Sequence, residues 1–248
     1  MKALIAYLAA LVFCFAWCLQ VQAAPALAQF DEDVARCRRL IRDYCAIVQE
    51  ITKQPELDQP RQQHALELLG SASREWQQIK ARYAADPPAE YARDPQFKAR
   101  LKDIDNALDD MERNLAQGQA RRSFQACGFG CGLFVKMHQE NGLAYALDKL
   151  FALRQTAKTA ESVMKTAGIA GVREWMPALM QQRDEVLLAP APWPEGDERS
   201  QAYRDAVLEL SRAIDDLALA ASDGDADQVS AGLQALVARV NKPYTLAL

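Results

Sequence analysis

Residues 97–118 read FKARLKDIDNALDDMERNLAQG, and within them Leu101, Ile104, Leu108, Met111 and Leu115 follow one another at steps of three and four. That spacing places the five apolar side chains along one face of a helix. Asp94-Pro95 supplies a start and Gly118 a stop. Upstream, Val34, Cys37, Ile41, Tyr44 or Cys45, Val48 and Ile51 form a similar stripe, ended by Pro55 and Pro60. Leu69, Trp76, Ile79 and Tyr83 carry another helix down to the breaker Asp86-Pro87-Pro88. Downstream, Phe124, Cys127, Cys131, Phe134 and His138 make a fourth stripe, closed by Asn141-Gly142.

The same order recurs beyond Gly142. Helices are predicted over 143–167 and 172–188, then a loop through Pro190, Pro192 and Pro194, then two more helices. Arg74-Glu75-Trp76 is matched by Arg173-Glu174-Trp175, and Ala107-Leu108-Asp109-Asp110-Met111 by Ala213-Ile214-Asp215-Asp216-Leu217. In that register Phe97 falls on Tyr203, Leu101 on Val207, Ile104 on Leu210 and Gly118 on Gly224. The pattern reads as an internal duplication. Because each stripe needs a partner, the expected fold is all-α, two tandem antiparallel four-helix bundles over 29–142 and 143–248.

Residues 1–28 have the layout of a secretory signal peptide: Lys2, an apolar run from Ala3 to Leu19, then small residues with cleavage expected after Ala23, Ala24 or Ala28. No later stretch has the length of apolar residues a membrane span requires, so the expected destination is the periplasm or the exterior, with no span in the processed chain. Lys2 is the only charge before residue 29, and the remainder carries 28 basic residues against 33 acidic ones, a net of −5. That balance argues against a nucleic-acid partner.

Chemistry, if present, concentrates in the first bundle, which holds Cys37 and Cys45 on its first helix and Cys127 and Cys131 on its last. First and last helices of such a bundle are antiparallel neighbours, which sets Cys37 toward the Cys131 end and Cys45 toward the Cys127 end. The register is imperfect, since eight residues rise about 12 Å and four about 6 Å. Three readings follow. Exported thiols oxidise, and two disulfides would staple the helices by roughly 2 to 4 kcal/mol each. Alternatively Cys127 and Cys131, sharing a face with His138, hold copper or zinc. Or Cys127 and Cys131 form a redox pair, although no basic residue beside them in sequence lowers a thiol pKa.

Gly128, Gly130 and Gly132 each cost the last helix about 1 kcal/mol relative to alanine. They either let a neighbouring helix approach closely or leave bare backbone for a bulky ligand. His64 lies in a polar run and is expected to be exposed, whereas His138 continues a core stripe. Met111, Met164, Met176 and Met180 read as core, and Trp76 and Trp175 as packing anchors.

A helix, a short turn containing Gly-Asp, and a last helix with paired cysteines and an aromatic residue resemble the C-terminal half of cytochrome c-prime-type bundles. The residues concerned are Leu217 to Ala221, Asp223-Gly224-Asp225 and Val229 in the second half, and Cys127, Cys131 and Phe134 in the first. The resemblance implies a bundle scaffold and, in that family, haem bound through Cys-x-x-Cys-His. This chain departs from the motif: three residues separate Cys127 from Cys131, glycine follows at position 132, and residues 233–244 hold neither cysteine nor histidine. Covalent haem is therefore not expected.

Catalytic groupings are also missing from the pattern: there is no Ser-His-Asp arrangement, no phosphate-binding glycine loop and no Glu-x-x-His helix pair. The expected protein is a non-catalytic exported bundle, stapled in its first half, that binds a partner or small ligand. The alternative is a metal- or haem-binding electron-transfer protein using the helix of Cys127 and Cys131.

Overall fold

Amphipathic helices leave water only by covering one another's apolar stripes, and the helices of this chain do so in two groups. The computed structural model describes residues 2–53, 58–193 and 196–248, with side chains from residue 27 onward. Among the described residues all regular structure is helical: α1 Lys2–Ile51, α2 Gln59–Tyr83, α3 Phe97–Ala116, α4 Ala120–Glu140, α5 Ala146–Leu187, α6 Glu198–Asp223 and α7 Ala226–Leu246. The chain separates into two compact units, Met1–Asn141 and Gly142–Leu248. The expected signal peptide falls largely on residues whose side chains lie outside the described set, as does the expected stop at Pro55. Among the described residues no helix is long and apolar enough to cross a membrane.

In the first unit α1 packs on α2, α2 on α3, α3 on α4, and α4 returns to α1, a closed ring of neighbours. The stripes fill its centre: Val34, Cys37, Ile41, Tyr44 and Val48 from α1, Leu69, Trp76 and Ile79 from α2, and Leu101, Ile104, Leu108 and Met111 from α3 are all buried. Trp76 is fully enclosed, meets Phe134 edge-on at 5.5 Å between ring centroids, and donates its indole N–H to the Leu101 carbonyl at 3.2 Å. One end is sealed by an aromatic group, with Tyr91 from the α2–α3 connection and Phe30 on α1 each against Phe97. Asp58 caps α2 by accepting from the Arg61 amide, and the following Pro60 sits where its missing N–H costs nothing.

In the second unit α5 packs on both α6 and α7, which pack on each other. The two helices expected over 143–167 and 172–188 are arms of α5, divided at Gly168, whose φ of 63° and ψ of −159° are reached without strain only by glycine. Three residues on, Gly171 has no room for a side chain: a Cβ there would lie 2.6 Å from Val163 Cγ1 and 2.7 Å from Ala167 Cβ. Positions matched in the sequence behave alike in some places and not others. Tyr203, Val207 and Leu210 are buried like Phe97, Leu101 and Ile104, and Gly118 and Gly224 both take positive φ after α3 and α6. Trp175, however, is only partly buried, and Met180 is more than a third exposed.

Gly168→Ala should lower the stability of the second unit by about 1 to 3 kcal/mol in urea denaturation, because the backbone there is held outside the range of L side chains. A variant as stable as the parent would show that the bend relaxes freely.

Candidate functional site

The contact between α1 and α4 brings the chemistry-bearing residues together. Tyr44 is buried on α1, and its hydroxyl donates to the Met111 carbonyl of α3 at 2.9 Å. Ser123 of α4 hydrogen-bonds Tyr44 and reaches to 3.0 Å from the same carbonyl. Three helices thus meet at one peptide oxygen. Burial pushes the Tyr44 phenol up to about 12. One residue further along α1, Cys45 is joined by a disulfide to Cys127, with 6.0 Å between their Cα atoms. About two turns from the bond along α1, the buried Arg38 guanidinium lies 5.3 Å from the centre of the Phe134 ring of α4.

Two bridges were expected, and among the described residues one is present. Cys37 and Cys131 lie outside it. Eight residues along α1 carry Cys37 about 12 Å from Cys45 and rotate it by some 80° toward α2. There its sulfur donates to the Ala72 carbonyl at 3.4 Å. Four residues along α4 carry Cys131 only half as far and leave it half-buried. Enclosure pushes the Cys37 thiol up to about 12, with Glu75 adding to the effect.

The disulfide also bears on the ligand set formed by Cys127, Cys131 and His138. Cys127 sulfur is bonded to Cys45 and offers no thiolate, and His138 is buried two turns beyond Cys131 at the last turn of α4. Among the described residues no three His, Cys, Asp or Glu side chains are gathered as a metal ion requires. A metal on this helix would first need the bond to be reduced. The redox pairing of Cys127 with Cys131 meets the same obstacle, since the bond of Cys127 runs across to α1.

The three glycines of α4 divide into two kinds. Gly130 faces α3, where an added Cβ would lie 2.7 Å from Met111 Cε and 3.5 Å from Ala107 Cβ, so it serves helix approach. Gly128 and Gly132 face open space. Between them Phe129 stands 63% exposed. Phe129 is not part of the predicted core pattern, and its signal in the sequence is that it falls off the stripe of Phe124, Cys127, Cys131, Phe134 and His138 in an otherwise apolar run.

A second polar group was also missed. Asp33, buried near the start of the ring, accepts from Arg82 at 2.7 Å, from the Tyr83 hydroxyl at 2.9 Å and from Gln29 at 3.1 Å, and also pairs with Arg36. Burial opposes its ionisation, but the bonds from Tyr83, Gln29 and Arg36 outweigh that and hold its carboxyl below the usual range. It ties α1 to α2. His64 is exposed, beside an open groove bordered by Ile47, Glu50, Pro60 and Arg61.

Two outcomes follow. Cys45→Ser, or reduction of the parent, should lower the first unit's stability by about 2 to 5 kcal/mol in thermal melting, and reductant should then have no further effect on the variant. The stability of that unit should also fall at both pH extremes. Cys37 and Tyr44 have raised pKa values, so their contribution is complete below about pH 9 and lost as pH rises toward 12. Asp33 has a lowered one, so its contribution is present above roughly pH 4 and lost on acidification. Urea midpoints against pH test this, with a shallower alkaline limb expected for Tyr44→Phe. No protein-family model, curated protein or solved structure matches the chain.

Proposed function

We propose that the protein is a non-catalytic, exported helical-bundle protein of the periplasm or exterior, which binds a partner or small ligand through α4 of its first unit. The observation that carries this reading is Phe129, 63% exposed between two glycines, Gly128 and Gly132, where an added Cβ would meet nothing within 4 Å. An exposed aromatic residue on bare backbone is costly to keep: the glycines weaken the helix and the ring orders water. Each cost falls away when another surface closes over the face. The chemistry-bearing groups of the unit point the other way, since Cys37, Tyr44, Cys127 and His138 are enclosed or bonded. The resemblance to cytochrome c-prime-type bundles is taken here as one of scaffold.

The test is Phe129→Asp. Captured by cross-linking in its own host compartment, the parent should retain a bound molecule and the variant should retain about thirtyfold less, the loss expected for a central aromatic anchor. Melting should change little, because most of the ring is exposed. Equal retention would contradict the reading. Elemental analysis and an absorption spectrum of the same preparation should show no stoichiometric metal and no Soret band; either would replace the binding protein with the metal or haem alternative.

A further inference from the structure

Asparagine is the thermally labile amide of a polypeptide, and most so before glycine, where no side chain keeps the next backbone nitrogen from its carboxamide carbon. The chain has one such pair, Asn141-Gly142; Asn106, Asn114 and Asn241 precede alanine, leucine and lysine. The pair closes α4, and its peptide joins the two units. Gly142 is exposed, at a φ of 71°, so water and hydroxide reach its N–H.

The fold holds this pair in an unreactive geometry. Asn141 has a φ of −103° and a ψ of 13°. A ψ near zero eclipses the Gly142 nitrogen with the nitrogen of Asn141, away from the side chain it would have to attack. The carboxamide is fixed as well: Nδ2 donates to the Met137 carbonyl at 2.8 Å and to the Asp94 carboxylate at 3.1 Å. Asp94 is anchored in turn, accepting from the Gln96 amide at 2.8 Å and from Arg100 at 2.7 Å, and Arg100 also pairs with Glu140. Burial opposes the ionisation of Asp94, but the bonds from Arg100, Asn141 and the Gln96 amide hold its carboxyl below the usual range. The group fastens the start of α3 to the end of α4.

We infer that Asn141-Gly142 is a site of spontaneous deamidation, latched in the folded chain by Asp94 and Met137, and that its conversion unfastens the end of α4 from the start of α3. In the reaction the deprotonated Gly142 nitrogen adds to Asn141 Cγ; a C–N bond forms and the carboxamide nitrogen leaves as ammonia, giving a succinimide. Water then opens the ring at one carbonyl to aspartate, or at the other to isoaspartate, whose main chain is longer by one methylene. No electrons change hands. Either product carries a carboxylate where the amide stood. It can donate nothing to the Met137 carbonyl, one of the last four of α4 and so without a partner inside the helix. It also sets a second negative charge beside Asp94, with Arg100 already shared between Asp94 and Glu140.

The test is to hold the full protein in mildly alkaline buffer, folded and in parallel unfolded in urea, and to follow each asparagine by peptide mass spectrometry. Asn141 should convert first in both samples, and more slowly in the folded one by about tenfold or more, since the latch must open locally before attack. Asp94→Ser keeps an acceptor for the Gln96 amide but releases Asn141, so it should speed conversion in the folded sample and leave the unfolded rate alone. Asn141→Asp, which reproduces one product, should unfold at lower urea than the parent. Equal folded and unfolded rates in the parent, earlier conversion of another asparagine, or a folded Asp94→Ser that converts no faster overturns the latch. A parental urea midpoint for Asn141→Asp overturns the unfastening.

Discussion

A ring of four helices holds its shape only if the first and last are held together, since that contact joins the segments most distant in the chain. In the first unit this is where the strongest connections fall. The Cys45–Cys127 bond spans 82 residues of sequence. In the chain-entropy view, closing a loop of that length removes about 4 to 5 kcal/mol of freedom from the unfolded chain. Next to it Tyr44 and Ser123 converge on the Met111 carbonyl, carrying the closure on to α3. The bond also sets the rotation of α4. With Cys127 turned to α1, Gly130 and Phe134 face the interior and Phe129 faces water. The exposed face of α4 is thus a consequence of the closure within.

The second unit has no cysteine and is closed differently. Gly168 kinks the chain within α5, and Gly171 lets Val163 and Ala167 of the first arm come closer than a side chain there would tolerate. Arg173 then donates to the Ala221 and Ser222 carbonyls at the end of α6, at 2.7 and 3.1 Å. Those oxygens lack partners within the helix, and a cation is well placed there. Buried alanines, among them Ala157, Ala160, Ala220 and Ala221, keep the helices close without bulky anchors.

Much of the fold was visible in the stripes, because a helix that must hide one face writes that need at intervals of three and four residues. Leu101, Ile104, Leu108, Met111 and Leu115 are buried as their spacing requires, and the turn at Gly142 marks the start of the second unit. What the stripes could not convey was rotation and register between helices. Cys37 and Cys45 both lie along the core side of α1, yet one meets the Ala72 carbonyl and the other a sulfur on α4. That difference depends on how far one helix is slid along its neighbour. The Asp33 cluster was hidden for the same reason: its partners Arg82 and Tyr83 lie some fifty residues away on another helix. Phe129 was overlooked because attention to core stripes passes over the residue that does not belong to one. Met180 and Trp175 show the converse, apolar spacing without full burial.

The bond between α1 and α4 holds the first unit closed, and its connectivity can be read directly. Proteolysis of the unreduced, alkylated protein followed by mass spectrometry should yield one fragment in which the Cys45 peptide is joined to the Cys127 peptide, with Cys37 and Cys131 both alkylated. A Cys37–Cys131 or Cys127–Cys131 linkage, or four alkylated thiols, would contradict it, since α4 would then no longer be held in the rotation that turns Phe129 outward.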